Sequence, residues 1–488
     1  MSDYDLAIIG GGLNGTCIAR DAAGRGLRVI LLEQGDLGHA ASSATPRLIH
    51  GDLAELERRH VWRVRTALKE RATWMRIAPH LVRPQRFVIP VLADARPPWL
   101  LRAGLLLYDR LAARPRLSGS SAIDLTHHPV GVPLKRPFGT AFDYSDCVVD
   151  DARLVVLNAV DAAERGADIR TGSRCIRADR ETFWRLAVID RGQRRVITAR
   201  ALVNATGAWA GSVAETILRM APPPARIVKL SQIIVRRLFD DDQVYILQND
   251  DQRLIFASRY ERDYTLIGSV PGKFTGDPAI VSVSGDEVAY LCRAANRYFR
   301  QQIEPSDVIQ AVAGANSVQH PPGPFAYRGA VTLDHQPNQA PLLTVLGGDL
   351  TTARLRAERT VAKLTPYYPL GPRWTADVPL PGGDFTLGGF ADQVDSACRR
   401  WPFLSEGEAE RLVARYGTRI GDVLRHARTR SDLGASFGEL TGAEVCYLMD
   451  KEWARFPDDV LWRRTKLGLS LPAADREALA SFMARRTA

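Results

Sequence analysis

The 488-residue sequence predicts an α/β protein with three units: a Rossmann-like dinucleotide-binding unit, an inserted unit built on an antiparallel sheet, and a C-terminal helical unit. Three observations carry this. A glycine-rich turn joins a short apolar run to a helical pattern near the start of the chain. Several strand-length apolar segments cluster between residues 227 and 268. Beyond residue 381 the apolar residues recur at helical spacing.

Residues 4–9 form an apolar run of strand length. Gly10-Gly11-Gly12-Leu13-Asn14-Gly15 follows, then a helical pattern with Cys17, Ile18 and Ala22 on one face. Glycines at 24 and 26 break it, and a second strand at 28–33 ends on Glu33. Strand, glycine turn, helix and strand within about thirty residues is the βαβ context that gives G-x-G-x-x-G its meaning. Gly10 permits the tight turn, Gly12 admits a pyrophosphate, and Gly15 lets helix and strand pack closely. The helix start offers free N–H groups and a positive dipole end. Glu33 can accept hydrogen bonds from ribose hydroxyls and disfavours a 2′-phosphate.

A hydroxyl-rich loop at 41–51 precedes an amphipathic helix at 60–78. Ala205-Thr206-Gly207 closes an apolar strand, where small residues admit a close ligand. Gly347 to Thr352 follows the strand at 342–346 and opens a helix. Segments 227–235, 243–248, 254–257 and 265–268 read as strands. Residues 366–381 are rich in proline and glycine and read as a linker. Helical spacing then marks 409–416, 420–427, 443–453 and 474–485.

Composition narrows the function classes. Six scattered cysteines, with no Cys-x-x-Cys pair, argue against a disulfide scaffold and a cysteine-based metal site. They fit a reducing cytoplasm. The N-terminus does not read as a signal peptide, and no apolar stretch reaches the roughly 18 residues of a membrane span. The net charge of +10 is spread along the chain. It forms no basic stripe with stacking aromatics, so no nucleic-acid partner is expected.

The opening DLAIIGGGLNGTCIARDAAGRGLRVILLEQGDLGHAASSATPRLIHG resembles that of the FAD-dependent glycerol-3-phosphate dehydrogenases. Further stretches continue the likeness in order: FDYSDCVVDDARL at 142–154, LVNATGAW at 202–209, YILQN at 245–249, LTPYY at 364–368 and LWRRTK at 461–466. The resemblance implies a glutathione-reductase-type FAD-binding unit from 1–90, 150–215 and 310–365. It implies a substrate unit from 91–149 and 216–309, and a C-terminal helical unit from 366–488. FAD would rest on Gly10, Gly11, Gly12, Leu13, Asn14, Gly15, Glu33, Gln34, Ser42, Ser43, Arg47, Leu48, Ile49, His50 and Cys175. Ala205, Thr206, Gly207, Trp209, Gly348, Asp349, Leu350, Thr351 and Thr352 complete that set. The family transfers hydride from a secondary alcohol to flavin N5. Its members pass electrons to a quinone and contact the membrane peripherally; a homodimer is compatible with it.

The substrate-facing residues depart from the family pattern together. Arg and Tyr after the Leu-Ile-His are Ala54 and Glu55. The family His of Lys-Gly-Ser-His is Gln232, the Arg of Gly-x-Arg-Pro is Asn316, and the Lys of Gly-Gly-Lys-Leu-Thr-Thr is Asp349. A second family Arg is matched by Arg328, and Arg259 and Tyr260 replace Pro and Trp. Three cations give way while acids appear at Asp52, Glu55 and Asp349. The expected substrate is a neutral or cationic small molecule, such as a polyol or an amine-bearing alcohol. The catalytic candidates are His50, Arg328, Glu55, Asp349, Arg259 and Gln232, with Glu55 or Asp349 as base or cation ligand. Two alternatives stay open: an ordinary glycerol-3-phosphate dehydrogenase making dihydroxyacetone phosphate, and an FAD-binding paralogue without turnover.

Overall fold

A computed structural model describes residues 2–91, 97–135, 139–320 and 329–487. The core of the first unit is a sheet of parallel strands. β1 (Tyr4–Ile9) lies between β2 (Val29–Glu33) and β4 (Gln193–Asn204); β3 (Asp168–Thr171) extends the sheet beyond β2, and β5 (Leu342–Leu346) extends it beyond β4. These strands are near-continuous apolar runs because both faces are covered. One face carries α1 (Leu13–Gly24), α2 (Asp151–Glu164) and α3 (Ala353–Ala362), packed in one apolar cluster. The other face packs on the strands Ser173–Arg180 and Trp184–Asp190, which pair antiparallel and lead into β4.

A second sheet runs in the order Val308–Gln319, Ala225–Arg236, Tyr264–Phe274, Leu254–Tyr260, Val244–Gln248, Val82–Pro90, Thr140–Val149 and Leu48–Ile49. Its pairs are antiparallel, apart from the parallel pair Val82–Pro90 with Val244–Gln248. The four strands expected between 227 and 268 all lie here. Sheet membership cuts across the expected unit boundaries, however. Leu48–Ile49 and Val82–Pro90 fall within 1–90, and Val308–Gln319 runs into 310–365, yet all belong to this sheet. Their partners stand far away in sequence, so local pattern cannot assign them.

The C-terminal unit is helical around its own core. The helices Glu406–Tyr416, Gly442–Lys451 and Ala473–Thr487 match the spacing. The helix expected at 420–427 stops at Leu424 because Arg425 adopts a left-handed φ of 51°. The helix Phe390–Arg400 was not anticipated. Residues 366–381 are not a free linker. The Trp374 ring stacks under the Arg20 and Arg165 guanidinium groups and its indole N–H donates to the Asp21 carbonyl (3.2 Å). The Leu380 amide donates to the Ile77 carbonyl (2.7 Å).

His80 lies between the helix Val61–Ile77 and the strand Val82–Pro90, near Phe385 of the C-terminal unit. It is fully buried and neither ring nitrogen has a hydrogen-bond partner. Burial, helped by the Arg153 and Arg83 charges, pushes its pKa from 6.5 down to about 3. Between those values the unfolded chain binds a proton that the folded chain refuses, so stability falls as pH falls through this window. Denaturant midpoints for the wild type should therefore drop more steeply from about pH 7 to about pH 5 than those for His80→Leu.

Candidate active site

The glycine turn lies at the carboxyl end of β1, beside the carboxyl ends of β2, β4 and β5. That is where open parallel sheets bind ligands. Gly10 has φ +110°, and a Cβ there would lie 2.6 Å from the Ala205 carbonyl oxygen. A Cβ at Gly15 would overlap the Gly10 carbonyl oxygen, so helix and strand meet only because both are glycine. α1 starts at Gly12 with no side-chain cap, and Ser42 Oγ takes the Leu13 amide (3.0 Å). The other first-turn amides are thus open to an anion. The Glu33 carboxylate accepts from the Gly11 and Gly35 amides, 2.7 Å each. Burial pushes its pKa up although those amides oppose it.

The opposite wall is the turn after β5. Gly347 and Gly348 take φ +67° and +113°. The Asp349 carboxylate accepts from the Thr352 amide (2.6 Å) and hydroxyl (2.8 Å), so Thr352 sits at the helix N-cap without capping α3 itself. The Thr351 hydroxyl exchanges hydrogen bonds with the His50 backbone (3.0 and 3.1 Å), and Trp74 Nε1 donates to its carbonyl (2.9 Å). These contacts bring His50 to the turn. The Asp52 amide donates to His50 Nδ1 (3.2 Å), which leaves the hydrogen of a neutral ring on Nε2. The His50 ring faces Phe256, 6.2 Å between centroids.

Register extends the ring of residues. Phe256 pairs with Gly268 and Gly268 with Gln232. Gln232 is 1% exposed; its Nε2 donates to the Ala44 carbonyl (2.9 Å), and its Oε1 has no partner. Ser317 Oγ donates to the Gly207 carbonyl (2.6 Å), and Asn316 Oδ1 lies 3.7 Å from where a Gly207 Cβ would stand. The structure thus gathers His50, Gln232, Asn316 and Asp349 with the turns at 205–207 and 347–352.

Other candidates lie elsewhere. Glu55 is buried in an ion cluster, bound by Arg58 (2.8 Å), His60 (2.9 Å) and Arg63 (3.0 Å). Burial works against its charge, but these partners outweigh burial and hold its carboxyl below the usual range. That corrects its expected role as base or cation ligand. Arg259 is three residues from Phe256, hence on the opposite strand face, and pairs with Asp242. It cannot face the same ligand as His50. The Arg47 guanidinium bonds the Val149 carbonyl and Glu261 and lies over Tyr260. Cys175 is a core residue whose thiol is pushed up to about 12 by burial. Leu48 and Ile49 are buried strand residues, and Leu350 anchors its turn in the core. Gln34, Ser43 and Trp209 line a cavity of about 360 Å³ along the loop 39–44. Arg328 lies outside the described residues.

Sequence reasoning missed Arg356, a buried residue one helical turn past Thr352. Its Nε donates to Asn14 Oδ1 (2.8 Å) and its Nη2 to the Asp349 carbonyl (3.0 Å); Asn14 Nδ2 donates to the Gly347 carbonyl (3.0 Å). The guanidinium fills the space that a Cβ at Gly348 would need. Only the Gly-Gly pair ahead of a helical arginine signals this.

The uncapped helix start, Glu33 and the glycine cradle fit FAD. A family model described as FAD dependent oxidoreductase matches residues 5–353, and one described as the C-terminal domain of alpha-glycerophosphate oxidase matches 373–486. The chain is 41% identical to a glycerol-3-phosphate dehydrogenase of Pseudomonas aeruginosa, over 98% of this chain and 95% of that protein. The chain belongs to the FAD-dependent glycerol-3-phosphate dehydrogenase family. It is 39% identical to a D-erythritol 1-phosphate dehydrogenase of Brucella abortus, over 98% of this chain and 97% of that protein. The crystal structure of a Bacillus halodurans glycerol-3-phosphate dehydrogenase with FAD superposes with a TM-score of 0.80 at 24% identity, over 100% of this chain and 91% of that one. The protein is therefore an FAD-dependent dehydrogenase of this family. Gly348→Ala should force the left-handed backbone and displace Arg356. We expect a loss of FAD affinity of about tenfold or more, read by titrating the deflavinated protein with FAD.

Proposed function

We propose that this dehydrogenase oxidises a neutral or cationic alcohol or amine rather than a glycerol phosphate ester. The observation that carries this is the polar lining gathered around His50. The family pattern places cations at the positions of Ala54, Asn316 and Asp349; this chain offers a methyl group, an amide and a carboxylate. At an effective dielectric of about 20, each unit charge about 5 Å from a phosphate is worth ~3 kcal/mol. Losing such cations and gaining Asp349 works against a dianion and for a cation or hydroxyl donor. Gln232 supports the same reading. Because its Nε2 is committed to Ala44, its buried Oε1 is an acceptor awaiting a donor, and such a group is costly unless a ligand N–H or O–H meets it.

FAD held in this cradle would supply the hydride acceptor for the carbon being oxidised. His50 presents Nε2–H as a hydrogen-bond donor, so it orients the substrate oxygen rather than taking its proton. We assign the base to the Asp349 carboxylate. Its turn is held by buried neighbours, Leu350, Thr351 and Thr352, while Asp349 itself is half-buried. Peripheral contact with a lipid surface, a quinone acceptor and a homodimer remain part of this proposal. The exposed Trp99, Leu100 and Leu107 on the helix Pro98–Arg110 support the first.

Anaerobic mixing tests the reading. The flavin absorbance should persist with glycerol 3-phosphate and bleach with an uncharged polyol or an amino alcohol. Bleaching by glycerol 3-phosphate at an ordinary rate would overturn it, and the family activity would stand. Asp349→Asn should slow flavin reduction by about 100-fold or more while FAD stays bound.

A further inference from the structure

The C-terminal unit reaches into the FAD unit at two loops, each through one carboxylate. The first loop follows Glu33 and contains Asp36. Arg464 grips Asp36 with both terminal nitrogens, Nη1 to Oδ2 (2.8 Å) and Nη2 to Oδ1 (2.7 Å), and Arg463 adds a third contact. The second loop is the hydroxyl-rich segment at 41–47. Asp151, at the start of α2, accepts from the Thr45 amide (3.2 Å) and hydroxyl (2.8 Å) through Oδ2. Its Oδ1 faces Lys466 Nζ at 3.4 Å.

Neither cation is a surface charge. Arg464 is fully buried and Lys466 is 4% exposed. Burial opposes the Lys466 charge, but Asp151 and Asp150 outweigh it and hold the ammonium above its usual range. Lys466 also adopts a left-handed φ of 58°, uncommon for a residue with a side chain. Arg464 is itself held by the Glu452 carbonyl (2.6 Å), and Glu452 by Arg153 of α2 (2.9 Å). The cavity along the loop 39–44 is lined by Gln34, His39 and Ser43 together with Trp462, Arg463 and Lys466.

We propose that the segment 462–466 is a clamp for the FAD site, with Arg464 and Lys466 as positioning residues that fix the two cofactor loops through Asp36 and Asp151. FAD affinity is then set in part by a unit that is separate in sequence from the binding fold. Coupling of this kind is reciprocal: FAD stabilises the docking of the C-terminal unit by the same factor. The inference stands on FAD binding alone and not on the identity of the substrate.

The test uses the full chain, deflavinated and titrated with FAD. Lys466→Met keeps the stem and removes the charge; it should raise the FAD dissociation constant by about tenfold or more. Lys466→Arg should restore most of the affinity and the wild-type flavin absorption band. Lys466→Met also strands a buried carboxylate and can fail to fold, so Thr45→Val is measured beside it. That variant removes one hydroxyl from the loop side and leaves both charges in place. It should weaken FAD binding severalfold with unchanged thermal unfolding of the apoprotein. FAD affinity within about twofold of wild type in Thr45→Val, or in a folded Lys466→Met, would overturn the clamp.

Discussion

One buried guanidinium sets the geometry of the cofactor site. Arg356 donates to Asn14 in the glycine turn and to the Asp349 carbonyl and Thr352 hydroxyl in the turn after β5. Those turns are more than 300 residues apart in sequence yet form facing walls. Together with the Asn14 Nδ2 bond to the Gly347 carbonyl, this link ties two loops at the ends of parallel strands. Arg356 demands space, and Gly348 supplies it. It demands hydrogen-bond acceptors, and a side-chain amide, a carbonyl and a hydroxyl supply them. A buried charge so surrounded is tolerated; with one partner removed it becomes a liability of several kcal/mol. The rest of the site inherits its dimensions from this contact.

The same frame explains why the cofactor motifs and the substrate-facing residues follow different rules. Gly10 and Gly15 act through missing side chains, and Gly348 through missing bulk. Any replacement there moves backbone. Gln232 and Asn316 stand on strands of the second sheet, and Asp349 on a turn whose own amide caps it. Changing those side chains alters the polarity facing the ligand and leaves backbone pairing untouched. Side chains at such positions can therefore change while the FAD frame of the family is kept.

Legibility in the sequence follows the range of the interaction concerned. The glycine turn was readable because strand, turn, helix and acidic strand end lie within thirty residues. The strands of the second sheet between 225 and 274 were readable from their own apolar patterns, and the last three pair with consecutive neighbours. Val82–Pro90 was not, since its register with Thr140–Val149 depends on a partner some sixty residues away. Glu55 looked like a free carboxylate beside the substrate; its short helix instead turns it onto Arg58, His60 and Arg63. Arg259 was misplaced by one strand face, the error that period-two alternation punishes most. Arg356, Asp36 and Lys466 were missed because their partners lie hundreds of residues away.

Much of the arginine content is structural. Arg20 pairs with Asp161, Arg71 with Asp146, Arg153 with Glu452, Arg354 with Glu70 and Glu358, and Arg464 with Asp36, all buried. These arginines face inward and join segments of chain to one another; each is matched by an internal carboxylate, so the net positive charge lies outside these pairs. Planar guanidinium groups suit this task because they satisfy two acceptors at once in a fixed geometry. The residues proposed to face the substrate are of another kind: a carboxylate, two amides and a histidine. Under the proposed reading, a molecule that commits its buried cations to internal carboxylates leaves His50, Gln232, Asn316 and Asp349 to meet a ligand that donates hydrogen bonds.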